Sequence, residues 1–251
     1  MFARIVGPHR IVAIALAALV LLLQPTVSFA DDSIDEARIE KILTKLLQEK
    51  PDLVIDAIRA YQAREEQAKL DAQRQQVAEK KDAILGNAKD PFVGNPDAKI
   101  TVVEFFDYRC GYCKRSLQTV LDLVERNKDV KVVFKEFPIL GEDSISATRV
   151  SLAVQHIAPQ HYREFHAQAL HFRGTLNLDA AVKIAVDLGI NKAALENAMK
   201  DSAIRDAIQS NYDLAEALNI RGTPAFVVGE QIVPGAVSLE TLEAMIAKLR
   251  G

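Results

Sequence analysis

The chain is poor in cysteine. Its 251 residues include two, Cys110 and Cys113, in one Cys-Gly-Tyr-Cys motif. No third thiol can pair with either, which excludes the disulfide framework of small secreted domains. A bond between the two would close a loop too short to stabilise a fold much, because that effect grows with loop length. A pair that staples nothing points to chemistry. The chain also has no surplus of positive charge: 31 Lys and Arg stand against 34 Asp and Glu. That balance gives no basis for binding nucleic acid or an anionic membrane surface. Internal repeats and low-complexity tracts are absent. So is an apolar run of bilayer length, because residues 11–23 are continuously apolar and a spanning helix needs about 20 residues.

That short run is informative in its setting. Arg4 and Arg10 precede it, Ser28-Phe29-Ala30 places small residues at −3 and −1 of a cleavage site, and Asp31-Asp32 follow. The pattern predicts a secretory signal peptide over residues 1–30, with an uncleaved membrane anchor as the alternative. Secretion would put the cysteines where disulfides persist.

Residues 31–90 are rich in Ala, Gln, Glu, Lys and Arg. Ile39, Ile42, Leu43, Leu46 and Leu47 fit one face of an amphipathic helix, and Pro51-Asp52 restarts a second. Ala63, Leu70, Val77 and Ile84 then recur every seven residues, but Gln67, Arg74 and Lys81 occupy the other seam position. Half a coiled-coil pattern suggests a helical stalk pairing with copies of itself. The alternative is a helix that folds back on its own domain. Gly86-Asn87 reads as its stop.

Residues 90–97 read as a turn-rich linker, so the catalytic domain is expected over 91–251. Residues 100–106 and 130–137 are apolar, β-branched runs of strand length, and a helix should run from the motif to about Arg126. Helical periodicity fills an insertion at about 139–219, broken at Pro159, Gly174 and Gly189. Residues 225–228 and 231–233 flank Gly229-Glu230 as a hairpin, and a helix capped by Ser238 closes the chain. The order is strand, helix, strand, helical block, two strands, helix.

Cys110 and Cys113 lie three apart at a helix start, which puts both on one face. Cys110 would sit at the exposed N-terminus, where unpaired N–H groups and the helix dipole favour a thiolate. Such placement can lower a cysteine pKa to about 3.5–7.5. Cys113, one turn inside, should be shielded. Lys114 and Arg115 would help if they turn toward the sulfur. Zinc wants four ligands. His156, His161, His166 and His171 offer no ligand face, because a spacing of five rotates each by about 140°, and each is expected at or near the surface. Copper(I), held by two soft thiolates, stays open.

The stretch Glu104-Phe105-Phe106-Asp107-Tyr108-Arg109-Cys110-Gly111-Tyr112-Cys113-Lys114-Arg115 resembles the active-site segment of the DsbA family of thioredoxin-fold thiol–disulfide oxidoreductases. Arg221-Gly222-Thr223-Pro224-Ala225-Phe226 is similar to that family's second signature, a loop ending in a cis proline. The resemblance covers about residues 90–250 and implies an α/β thioredoxin fold with a helical insertion. It implies Cys110 as nucleophile, Cys113 as resolving thiol and Gly111 and Tyr112 as tuning residues. Thr223 and Pro224 would border the substrate groove, and Glu104 would be a buried proton shuttle, unless it is a solvent-facing carboxylate at the strand end. No organic cofactor is implied beyond the redox-active pair. The implied site is the periplasm, with unfolded or misoxidised secreted proteins and a membrane redox partner as partners. The family's most oxidising members carry histidine where this chain has Tyr112, so a milder oxidant is expected. The N-terminal helices look like the stalk of the ScsC-type branch, which implies a homo-oligomer through residues 31–90 with isomerase capability. The alternative is an envelope protein that binds copper(I) or acts as a chaperone.

Overall fold

The computed structural model describes residues 35–251; the leader expected at 1–30 lies outside them. Two compact units divide between Tyr61 and Gln62. In the first, Asp35 caps α1 (Glu36–Glu49), its carboxylate accepting the Ala37 N–H at 3.2 Å. α2 (Asp52–Glu79) begins directly after Pro51, a residue tolerated at a helix start because its missing N–H would have had no partner there. The apolar residues of α1 keep the expected spacing, yet Ile42 (58%), Leu43 (51%) and Leu47 (49%) are exposed.

The second unit is built on a five-stranded sheet in the order β1-β3-β2-β4-β5. The strands are β1 (Phe92–Gly94), β2 (Ile100–Phe106), β3 (Val130–Glu136), β4 (Ala225–Val228) and β5 (Gln231–Pro234). β2 and β3 are parallel and the other pairings antiparallel. Parallel neighbours need a crossover, supplied by α4 (Gly111–Arg126). Between β3 and β4 lie α5 (Glu142–Ile157), α6 (Tyr162–His171), α7 (Leu178–Asp187), α8 (Lys192–Ala198) and α9 (Ser202–Ala217), and α10 (Leu239–Arg250) closes the chain. This is the thioredoxin fold with a helical insertion. Gly229, at φ +60°, turns β4 into β5 within the two-residue connection that such hairpins favour.

Strand alternation sorts the core into two layers. Val102, Phe106, Val132, Phe134 and Phe226 face Leu117, Val120 and Leu123 of α4 and the closing helix. Val103, Phe105, Val133 and Val227 face the other way, toward Leu214 of α9.

Two boundaries differ from the sequence expectation. The supposed linker contains β1, paired antiparallel with β3. Val93 is buried there, and a Cβ at Gly94 would lie 2.7 Å from the Val130 carbonyl oxygen. A strand of three residues between Pro91 and Pro96 leaves no run to read. The segment expected to form a stalk to residue 90 also packs in part on the sheet. Val77 of α2 and Ile84 of α3 (Lys81–Leu85) are 4% and 2% exposed in the second core layer. Lys135 secures this return, donating to the Ala83 carbonyl and pairing with the Asp90 carboxylate. The fold-back alternative therefore holds for residues 77–85, and the heptad seam is not free over its length.

Candidate active site

β2 delivers the chain to the redox motif through Asp107-Tyr108-Arg109. The Asp107 carboxylate is fully buried and accepts the Arg109 N–H at 2.7 Å, the Leu140 N–H at 3.0 Å and the Ser144 hydroxyl at 2.8 Å. Its carbonyl accepts the Cys110 N–H at 3.0 Å. One side chain thus ties the loop before the cysteine to the segment after β3 and the start of α5.

Cys110 is the N-cap of α4, and its sulfur accepts the Cys113 N–H at 3.4 Å. Its thiol also meets the Thr223 carbonyl at 3.2 Å. The Thr223–Pro224 bond is cis. Cys110 was expected to be exposed; it is 7% exposed because this loop lies over it. The Cys110 pKa is lowered to about 5. The hydrogen bond from the Cys113 thiol contributes most, burial opposes it, and the Thr223 hydroxyl and the N–H groups of Cys113 and Tyr112 add to the lowering. Cys113 is 1% exposed. The same thiol hydrogen bond, then burial, push its pKa far above the usual thiol range.

Lys114 and Arg115 are engaged elsewhere. The Lys114 ammonium donates to the Phe172 carbonyl at 2.9 Å, and the Arg115 guanidinium lies 4.2 Å over the Tyr112 ring. Tyr112 is 59% exposed, and a Cβ at Gly111 would meet only Arg115, at 3.9 Å, so packing does not fix that position.

Glu104 shares a strand face with Val102 and Phe106 and is 3% exposed; the solvent-facing alternative does not hold. Burial first, then the charge of Cys110, raise its pKa to about 8. Thr223 and Pro224 line a cleft of about 770 Å³ that also takes in Tyr112, the β5 edge and part of α2.

Sequence reasoning missed a second buried cluster. The Glu136 carboxylate accepts the Ser151 hydroxyl at 2.6 Å, and the Tyr108 hydroxyl lies 2.7 Å from Ser151 Oγ and 3.2 Å from His166 Nδ1. Burial raises Glu136 to about 8 and lowers His166 to about 3. His166, expected near the surface, is 2% exposed among Phe106, Phe134 and Tyr162. A signal existed: strand period places Glu136 on the core face with Val132 and Phe134. Among the described residues no three His, Cys, Asp or Glu gather as a metal site.

A family model described as the DSBA-like thioredoxin domain matches residues 101–247, from β2 to the closing helix. The chain belongs to this family. It is a thiol–disulfide oxidoreductase of DsbA type. The thiol:disulfide interchange protein DsbA of Bordetella pertussis is 25% identical over 154 residues, 60% of this chain and 73% of that protein. The catalytic domain of Proteus mirabilis ScsC is 31% identical with a TM-score of 0.64, covering 70% of this chain and 97% of that one. Salmonella enterica Typhimurium BcfH is 26% identical with a TM-score of 0.69, covering 95% of this chain and all of that one. Within this DsbA-like domain the two thiols differ in setting: the pKa of Cys110 is lowered, and that of the buried Cys113, near the Glu104 carboxyl group, is raised.

Proposed function

We propose that this protein is a periplasmic thiol–disulfide oxidoreductase that forms or reshuffles disulfides in secreted proteins through Cys110 and Cys113. The observation that carries the reading is the hydrogen bonding of Cys110 Sγ at the start of α4. When the pair is oxidised, a substrate thiolate attacks Cys110 Sγ, the Cys110–Cys113 bond breaks, and Cys113 leaves with the electron pair. Glu104, protonated up to about pH 8, supplies the proton. A second substrate thiolate then attacks the substrate sulfur in the mixed disulfide and expels Cys110 as its stable thiolate. The substrate has lost two electrons and two protons; one proton restores Glu104, the other goes to solvent, and the enzyme holds Cys113 as thiol and Cys110 as thiolate. Run in reverse, Cys110 opens a wrong disulfide. Thr223 and Pro224 border the substrate segment, and Gly111 and Tyr112 set the exposed side of the pair. The resemblance of residues 1–30 to a secretory leader supports the periplasmic assignment, and no cofactor beyond the two sulfurs is needed.

The N-terminal helices serve, in this reading, to join copies of the chain. Exposed Ile42, Leu43, Leu46 and Leu47 on α1 support it, and the likeness to BcfH across 95% of the chain takes in this region. Several active sites on one assembly raise the effective concentration of thiolate near a bound substrate, which suits isomerisation. The test is a Cys113→Ser variant mixed with a disulfide-bonded substrate. A mixed disulfide on Cys110 is expected, and none with Cys110→Ser. Adducts on both variants, or on neither, would remove the mechanism.

A further inference from the structure

The cleft beside the redox pair has an unexpected wall. Lys69, Ala72, Gln73 and Gln76 of α2 line it, and their i, i+3, i+4, i+7 spacing puts them on one helix face. Thr223 and Pro224 line it as well, and the Thr223 carbonyl is 3.2 Å from Cys110 Sγ, so the cleft lies one residue away from the buried nucleophile, which Thr223 separates from it. The wall is held in place. Gln73 Oε1 accepts the Ile232 N–H of β5 at 3.2 Å, and Val77, one turn further on, is buried in the core.

The lining has a definite character. Leu218, Ala225, Ile232 and Pro234 supply apolar surface. Lys69 and Arg221 are its charged residues, and no carboxylate lines it. Neither cation is in a salt bridge among the described residues, and Arg221 Nε donates to the Asn219 side chain at 2.9 Å. Arg115, over the lining Tyr112 ring, is a third cation beside it. A chain entering here cannot add to β5 at Ile232, because Gln73 already holds that N–H.

We propose that α2 forms part of the substrate-binding surface, and that the cleft selects extended, unfolded segments with a carboxylate a few residues from the reacting cysteine. This rests on the exchange reading above. Lys69 and Arg221 are the specificity-determining pair, drawing the acidic residue while the apolar surface takes its neighbours. Substrate recognition and the N-terminal extension then meet in one place, since residues 69–76 belong to the catalytic unit.

The test uses the oxidised full chain and two dithiol peptides, identical except for glutamates or lysines two and three residues from one cysteine. The ratio of kcat/KM, acidic over basic, is measured for the wild type, Lys69→Glu, Arg221→Glu and the double variant. The wild-type ratio should be about fivefold or more, the effect of one ion pair near 4 Å in water. Each reversal should lower it by about fivefold, mainly through KM, and the double variant should prefer the basic peptide. Lys69→Gln should give a smaller shift in the same direction, and molar salt should flatten the preference. A wild-type ratio near one, or variants that lose both peptides alike, would overturn the proposal while leaving exchange intact. If neither peptide is oxidised by the wild type, the exchange reading itself fails.

Discussion

At the scale of single residues, the site places equal chemical groups in unequal settings. Cys110 and Cys113 are the same side chain three residues apart, yet the hydrogen bond between them and burial lower the pKa of one to about 5 and raise that of the other. Glu104 extends the contrast, because burial keeps its proton to about pH 8. A group whose folded pKa is raised adds no cost below its unfolded value. Its burial costs stability increasingly as pH rises from about 4.5 to about 8. Glu104→Gln should therefore melt higher than the wild type at pH 9 and little differently at pH 4. It should also slow release of Cys113 by roughly 100-fold, the low end of general acid–base contributions, in stopped-flow oxidation of a dithiol peptide. An unchanged rate would confine Glu104 to a structural role. The motif singles out the cysteines, and the stretch that resembles the family singles out Glu104, which the structure buries. Asp107 and His166 were not legible, because a polar letter in a loop or on a helix carries no mark of burial until its neighbours pack over it; for Glu136 the strand period of β3 was the one available signal.

At the scale of elements, β2, β3, the β4–β5 hairpin and the closing helix could be read in advance. Their signals are local: β-branched runs, Gly229 at a turn, Ser238 at a cap. β1 could not, since its three residues earn their pairing only from β3 beside them. The heptad of Ala63, Leu70, Val77 and Ile84 shows a different limit. Period records that a face is apolar, not what covers it, and its lower half is covered by the chain's own sheet. Ile84→Ala should accordingly cost about 2–4 kcal/mol in denaturant unfolding, as truncations of buried aliphatic side chains do. A cost near zero would mean that α3 is not part of the folded unit.

At the scale of the whole molecule, the chain combines a DsbA-like domain with a helix, α1, whose apolar face is exposed among the described residues. If copies join through this face as proposed, Ile42→Lys with Leu46→Lys should convert an oligomeric wild type to monomer in sedimentation velocity at micromolar concentration. It should also weaken refolding of a scrambled-disulfide substrate while single-dithiol oxidation persists. A wild type that is itself monomeric would leave the exposed face of α1 to some other partner. The central claim concerns the sulfur pair, and the most direct measurement is the pH dependence of Cys110 alkylation in the reduced protein. A thiolate midpoint near pH 5 is expected, and Cys113→Ala should move it upward, because the largest stabilising hydrogen bond is then gone. A midpoint near that of a free cysteine, about 8.5, or no change in the variant, would contradict the account.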